Sequence, residues 1–247
     1  MRLAASRRMK GMRTPLRVTV LACSFILASC GALPASERSA PANGAFIAAE
    51  VPGTWSLTDD ENVTFDVVLS ADGTAVSNWS KGPQGAKGEE GRWALKDGRI
   101  EIDYTDGWHD AITRDHRGWL VKQSYAPGAS RSGPPTNHGQ AVRTPEVLAR
   151  WVGLYETQSQ ESAGKQTFRI AIQSSHVAWT DFGAPTMGSW WAVGDRLHIR
   201  WADGWIDELH AEGNAWASRT WQAGTVLDAT GTPVGGPTFQ GRVRKVK

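Results

Sequence analysis

The residues with the most chemical potential sit in two matching pentapeptides, Asp106-Gly107-Trp108-His109-Asp110 and Asp203-Gly204-Trp205-Ile206-Asp207. Carboxylates set close together are the raw material of glycosidic acid–base chemistry, and Asp103, Asp106 and Asp110 could supply such a pair. Any Asp-rich hairpin offers the same residues, so the spacing alone assigns no catalyst. Histidine is the next candidate, as a base or a metal ligand. When the pentapeptides are aligned, His109 and His116 fall on Ile206 and Gly213, and His198 and His210 on Glu101 and Thr113. None recurs. His198 and His210 can meet across one hairpin, but two imidazoles without a third ligand make an incomplete metal site. These histidines read as parts of a solvated polar face or a loop. The sequence contains no G-x-S-x-G, no H-E-x-x-H and no phosphate or dinucleotide fingerprint. No catalytic residue, metal ligand or cofactor is assigned, and the chain is expected not to be an enzyme.

The elements that carry the pentapeptides are themselves duplicated. Shifted by 97 residues, Gly91–Trp119 lies over Gly188–Trp216 without a gap, and 9 of 29 positions are identical. With small gaps Gly53-Thr54-Trp55 falls on Gly153-Leu154-Tyr155, Thr64-Phe65 on Thr167-Phe168, and Trp79 on Trp179. Such a match marks an internal repeat. The units are residues 51–144 and 145–247, joined at Arg143-Thr144-Pro145-Glu146, where Pro145–Trp151 is the one helix candidate. Each unit alternates apolar and polar residues in short runs divided by turn signals: Val63–Ser70, Thr74–Ser80, Gly91–Lys96, Arg99–Tyr104, Trp108–Arg114 and Gly118–Ala126, then Gln166–Gln173, Val177–Phe182, Gly188–Val193, Arg196–Trp201, Trp205–His210 and Asn214–Gln222. The pattern predicts an all-β chain of two tandem antiparallel meanders, each of about six to eight strands and suited to closing as a small up-and-down barrel. The 13 Trp residues add large apolar area to cores that are small for a unit of this size.

Register places the carboxylates. If Thr105-Asp106-Gly107 is a three-residue hairpin loop with Gly in the left-handed bulge position, Tyr104 faces Trp108, Ile102 faces Asp110 and Ile100 faces Ile112. A two-residue Asp-Gly loop would send Ile112 to the polar face. The first Asp and the Gly are then turn residues, and the Trp packs inward. Asp110 and Asp207 are left on apolar, Trp-lined faces, where a carboxylate must be hydrogen-bonded or lie at a wet mouth. Either it accepts a Trp indole or backbone N–H and pins the hairpin, or it anchors a ligand at the rim of a cavity. The candidate ligand-binding residues are Asp110 and Asp207, with Trp108, Trp205, Tyr104 and Trp201 on the same faces. Trp191 and Trp221 join them because they lack an aligned aromatic and are expected to be exposed, where they could stack a sugar or a partner. Trp55, Trp93, Trp108 and Trp119 align with Tyr155, Trp190, Trp205 and Trp216, and core packing is their expected role.

The first thirty residues belong to export rather than to the fold. Arg2, Arg7, Arg8, Lys10, Arg13 and Arg17 precede the apolar run VTVLACSFILAS, which is too short to span a bilayer. It ends in Leu27-Ala28-Ser29-Cys30-Gly31, which resembles the lipobox of bacterial lipoproteins. That resemblance implies cleavage of a leader spanning 1–29 and acyl chains, palmitate among them, on Cys30. Several chains on one residue suffice for stable anchoring, which implies the cell envelope, most simply the periplasmic face of the outer membrane. Residues 30–50, rich in Ala, Ser, Pro and Gly, read as a flexible tether. The leader carries six basic residues and no acid, so a whole chain of 27 Lys and Arg against 25 Asp and Glu leaves a mature chain of net charge −4. A nucleic-acid partner loses its basic footprint. Cys23 leaves with the leader and Cys30 is the anchor, so the mature monomer has no disulfide.

Gly53-Thr54-Trp55, followed by the turn Ala71-Asp72-Gly73-Thr74, resembles the opening of lipocalin- and avidin-like barrels. The resemblance implies eight antiparallel strands, closure and room for a cavity. The second unit has Tyr155 in place of the Trp, and the Asn/Ser/Tyr pattern of avidin sites is not recognisable, so biotin is not expected. The leading expectation is a lipid-anchored, non-catalytic envelope binding protein that takes a small apolar or aromatic ligand in a barrel, or a glycan on exposed Trp. Small periplasmic barrels that inhibit proteases or lysozyme share the architecture. The second expectation is accordingly a protein-interaction or hydrolase-inhibitor lipoprotein acting through mouth loops such as Gly128–Asn137 and Gly224–Gly236. A hydrolytic enzyme comes third.

Overall fold

The computed structural model describes residues 45–79, 88–159, 166–213 and 215–246. The expected leader, Cys30 and the expected tether as far as residue 44 lie outside the described residues. The first unit consists of β1 (Gly53–Thr58), β2 (Thr64–Leu69), β3 (Thr74–Ser77), β4 (Glu89–Lys96), β5 (Arg99–Tyr104), β6 (His109–Arg114), β7 (Leu120–Tyr125) and β8 (Asn137–Arg143). After α1 (Glu146–Ala149) the second repeats the order as β9 (Gly153–Gln158), β10 (Thr167–Ile172), β11 (Val177–Thr180), β12 (Thr186–Val193), β13 (Arg196–Trp201), β14 (Ile206–Glu212), β15 (Ala215–Trp221) and β16 (Phe239–Lys245). Each set is an antiparallel meander closed by its last strand pairing with its first, giving two eight-stranded barrels. Closure leaves neither sheet an open edge.

The hairpin register is the three-residue one. Ile102 pairs with Asp110 and Ile100 with Ile112, and in the second barrel Ile199 pairs with Asp207 and Leu197 with Leu209. Gly107 and Gly204 adopt φ of 92° and 89°, a region that only glycine enters without strain.

One end of each barrel is sealed by the same device. Trp55 Nε1 donates to the Val51 carbonyl at 2.9 Å, and Tyr155 Oη donates to the Trp151 carbonyl at 2.7 Å. The aromatic thus fixes the incoming chain under its own barrel. Arg143 lies over the Trp55 ring at 5.2 Å, and Lys245 over the Tyr155 ring at 5.3 Å, so a cation from the closing strand caps each plug. Phe46, in the stretch expected to be tether, is 4% exposed and packs edge-on to Trp55. Its N–H donates to Gly98 O at 3.1 Å. The span expected as tether, 30–50, is therefore too long, because Phe46 and the residues after it belong to the barrel floor.

The structure also corrects the alignment past β6. The turn between β6 and β7 is one residue longer in the first barrel, because Arg114 pairs with Leu120 where Ala211 pairs with Trp216. Leu120, not Trp119, therefore occupies the inward position of Trp216. Trp119 sits in the turn with 70% of its surface exposed, which overturns its expected core role.

The barrels pack against each other through β2 and β3 of the first and the β9–β11 region of the second. Val76, Leu154, Ala171 and Val246 form the apolar part of the junction. Its polar part centres on Asp66. The Asp66 carboxylate accepts from Ser174 N at 2.9 Å and from Asn78 Nδ2 at 3.2 Å. Asn78 Oδ1 accepts the Asp66 N–H at 2.6 Å, while its Nδ2 also donates to the Ile172 carbonyl at 2.6 Å. Asn78 and Asp66 are both nearly inaccessible to solvent, so each bond lost would leave a buried polar group unpaired. Asn78→Ala is expected to lower stability by roughly 2 kcal/mol and to separate the unfolding of the two barrels into resolved steps in urea. A single transition at the wild-type midpoint would show that this network does not couple them.

Candidate functional site

The site is built outward from the two hairpins. Asp106 Oδ1 and Asp203 Oδ1 accept the N–H of Trp108 and Trp205, each at 3.1 Å. These are side-chain-capped turns, and the first Asp of each pentapeptide is occupied by them. The second Asp points into the barrel. Asp110 accepts from Tyr104 Oη at 3.1 Å and from Ser124 Oγ at 2.5 Å. Asp207 accepts from Trp201 Nε1 at 2.8 Å and from Thr220 Oγ1 at 2.6 Å. Both carboxylates therefore tie the aromatic that ends one strand to a hydroxyl two strands away. The reading in which the Asp pins its hairpin through an indole N–H is realised at Asp207. At Asp110 a phenol replaces the indole.

Around these matched clamps the two interiors diverge. Strand pairing gives the correspondence: Leu57 with Thr157, Phe65 with Phe168, Tyr104 with Trp201, Lys122 with Ser218, Ser124 with Thr220, and Asn137 with Phe239. In the first barrel Lys122 turns inward and is 3% exposed. Its Nζ donates to Asn137 Oδ1 at 3.0 Å and stands 5.3 Å from the centre of the Phe65 ring. In the second barrel the shorter Thr157 and Ser218 leave a cavity of about 190 Å³. Phe168, Phe182, Trp201, Trp205 and Phe239 wall it, and Thr157, Thr180, Ser218 and Thr220 add hydroxyls. Phe168 and Phe182 pack at 4.7 Å, and Trp205 stacks parallel to Phe239 at 6.1 Å. Among the described lining residues the ionisable groups are Asp203 and Asp207. Asp207 is packed by protein on most sides and reached through the cavity, whereas Asp110 is 4% exposed.

Burial pushes both inward carboxyls above the ordinary 3.8. At Asp110 the positive charge of Lys122 and the bonds from Ser124 and Tyr104 work against that rise. At Asp207 the bonds from Thr220 and Trp201 oppose it and the nearby charge of Asp203 adds to it. Burial lowers the Lys122 ammonium, against the pull of Asp110, Asp59 and Asp60.

The candidate residues read from sequence therefore fall in several places. Trp201, Trp205 and Asp207 share the cavity. Tyr104 and Asp110 hold the matching position in the filled barrel. Trp108 borders an open, polar recess of about 430 Å³ with Trp79, Glu89, Asp106 and, from the second barrel, Arg169. Trp221 is not exposed: it is 5% exposed, pairs with Ile206 as Tyr125 pairs with His109, and so does have an aromatic counterpart. Trp191 is half-buried, stacked 5.4 Å from the His198 ring, with its Nε1 donating to Gly231 O at 3.0 Å. Trp221 offers no free stacking face, and Trp191 has one face taken by His198. Phe168, Phe182, Phe239, Thr157 and Ser218 were not among the sequence candidates.

The histidines also differ from expectation. His109 and His198 are 2% and 0% exposed, not solvated. The connections after β7 and β15 fold back over the outer walls rather than standing free at the mouths. Arg131 reaches Asp103, and Trp221 Nε1 donates to Gly235 O at 3.1 Å. His109 is clamped between Glu101 and Asp103, at 2.6 and 2.9 Å. His198 and His210 do meet across the hairpin, on either side of Glu208, at 3.1 and 3.2 Å. Burial works to raise Glu208, but His198 and Arg196 outweigh it and hold the carboxyl below 4.5. Among the described residues no group of three His, Cys, Asp or Glu is placed to hold a metal ion. The chain matches no protein-family model, and neither a curated protein nor a solved structure matches it.

Both clamps should respond to neutralisation in the direction set by their raised pKa, Asp110 less than Asp207. In Asp207→Asn the amide can accept from Trp201 and donate to Thr220, so both bonds survive. Because the folded-state pKa of Asp207 is raised, its charge opposes folding at neutral pH, and protonation relieves that strain as pH falls through the raised value toward 3.8. Asp207→Asn should accordingly gain stability at pH 7.5, with the gain shrinking as pH falls toward 3.8. Asp110→Asn should gain less than Asp207→Asn at pH 7.5, since it also removes the counter-charge of buried Lys122, which offsets part of the burial penalty at Asp110. Urea unfolding across this pH range measures both, and losses of equal size at every pH would contradict the assignment.

Proposed function

We propose that this protein is a non-catalytic binding module whose second barrel takes a small ring-bearing ligand, while the first barrel is a filled scaffold. The observation that carries the reading is the cavity beside Asp207, about 190 Å³ in volume and walled by five aromatic side chains. An apolar cavity of about 150 Å³ is enough to bind benzene, so this one accepts a single substituted ring. Concave, mostly apolar walls with a few convergent polar groups are the usual make-up of a small-molecule site. Asp207 and the hydroxyls of Thr157, Ser218 and Thr220 would orient the ring by its polar substituent. A glycan held on exposed Trp has less support, because Trp221 is buried, Trp191 is half-buried against His198, and the exposed Trp119 stands alone in a turn away from the cavity.

The same proposal places the barrels at the envelope surface, held by acyl chains on Cys30. The support is Leu27-Ala28-Ser29-Cys30 behind a basic and then apolar leader. Cys30→Ala should abolish incorporation of labelled palmitate and release the protein from the membrane fraction. Retention of both in the variant would refute lipid anchoring.

Trp201 and Trp205 lie in the cavity wall, so binding should change intrinsic fluorescence. In a titration with single-ring aromatics bearing hydroxyl, amine or carboxyl groups, at least one is expected to bind with a dissociation constant in the micromolar to millimolar range. Thr157→Leu, which restores the residue of the filled barrel, should weaken that binding at least about tenfold. A panel with no response, or binding unaffected by Thr157→Leu, would remove the cavity as the site.

A further inference from the structure

The duplication supplies its own comparison for what the cavity is shaped to hold. Lys122 and Ser218 are equivalent by strand pairing, since Lys122 lies opposite Ile112 and Ser218 opposite Leu209. In the first barrel the space is filled by a four-carbon stem ending in an ammonium. Its surroundings form a cation site: the Phe65 ring at 5.3 Å, the Asn137 carbonyl at 3.0 Å, and the Asp110 carboxylate acting on it through space. In the second barrel the stem and the charge are gone, while most of the surroundings remain. Phe168 stands for Phe65, Asp207 for Asp110, and Thr220 for Ser124. Phe239 takes the place of Asn137, exchanging an amide for another ring face.

We propose that the cavity of the second barrel is a site for a small organic cation, an alkylammonium or arylalkylammonium, whose nitrogen occupies the place that Lys122 fills in the first. This rests on the cavity reading above and makes the ligand a cation, the arylalkylammonium keeping the ring and the alkylammonium filling the space with its stem alone. The chemistry of the lining selects for that class. Asp203 and Asp207 give the space a negative field with no positive side chain among the described lining residues. An anionic ligand would meet two carboxylates. A neutral ring would satisfy the walls but leave the carboxylate beside it without a counter-charge. A protonated amine satisfies both, because its stem lies on Phe168 and Ile170 while its N–H groups face oxygen. Asp207 has acceptor capacity to spare, since an ionised carboxylate offers about four lone-pair sites and Trp201 and Thr220 occupy two. The rings of Phe168, Trp201 and Phe239 line the space, and aromatic rings around a cation add attraction that is largest where water is excluded.

The test is calorimetric titration of the mature, leader-free chain at pH 7 and low salt with matched pairs: n-butylamine against 1-butanol, and 2-phenylethylamine against 2-phenylethanol. Each amine should bind roughly tenfold or more tightly than its alcohol, the scale of a desolvated cation contact. Asp207→Asn should reduce that preference to about twofold or less. Ser218→Lys, which installs the ammonium of the first barrel, should abolish amine binding. The reciprocal Lys122→Ser should lose thermal stability and regain part of it in n-butylamine but not in 1-butanol. Alcohols that bind as tightly as their amines, or an amine preference that survives Asp207→Asn, would overturn the cation assignment and leave the cavity standing as a neutral-ligand site. Failure of all four compounds to bind would overturn both. If Ser218→Lys does not fold, the matched pairs and Asp207→Asn still decide.

Discussion

The interior of an eight-stranded barrel is only wide enough for a layer or two of side chains, so each inward position decides between core and cavity. Two copies of one barrel in the same chain make that constraint visible. Their strand order, their closing pair and their hairpins are the same, and their floors are sealed by Trp55 in one and Tyr155 in the other. What separates them is a few residues near the mouth. Leu57 and Lys122 fill the first interior, while Thr157 and Ser218 leave the second open. Strand order and register are kept, and the volume differs with the side chains at these inward positions.

The inward carboxylates fit this division. A charge placed inside a barrel costs free energy unless it is paired and hydrogen-bonded. Asp110 meets the cost with a hydroxyl, a phenol and a neighbouring ammonium, and becomes part of a satisfied core. Asp207 keeps the two bonds and lacks the ammonium, and it remains reachable through the cavity. The same residue in the same register is thus enclosed in one copy and borders a cavity in the other. The outer walls carry a second set of buried charges, Glu101 with His109 and Glu208 with His198, which the folded-back connections shield from water.

Much of this architecture was legible in the sequence because local chemistry dictates it. Asp-Gly followed by an aromatic specifies the hairpin loop, and the loop specifies register, so the inward direction of Asp110 and Asp207 followed from four residues. The strands β8 and β16 were not legible. Their sequences, NHGQAVR and FQGRVRK, set Asn137, Gly139 and Arg143, then Gly241 and Lys245, on the inward side, and Val142 outward, which hides the alternation. With β16 unseen, Phe239 could not be placed in the cavity wall. The misplacement of Trp119 came from a one-residue length difference in a single turn, which an ungapped alignment cannot register. Burial of His109 and His198 depends on connections that fold back across the wall, a tertiary event with no signature in strand periodicity. The cavity itself arises from Thr157 and Ser218 being small, and smallness at two positions distant in sequence carries meaning only once the barrel brings them together.

The central claim is that one barrel is filled and its twin is open. A crystal structure of the mature chain under xenon pressure tests it directly, since xenon enters apolar cavities large enough to hold it. The account requires a xenon atom in the second barrel, among Phe168, Ile170 and Phe239 and close to Asp207, and no xenon inside the first, where Lys122 lies. Xenon in both barrels, or in neither, would contradict it.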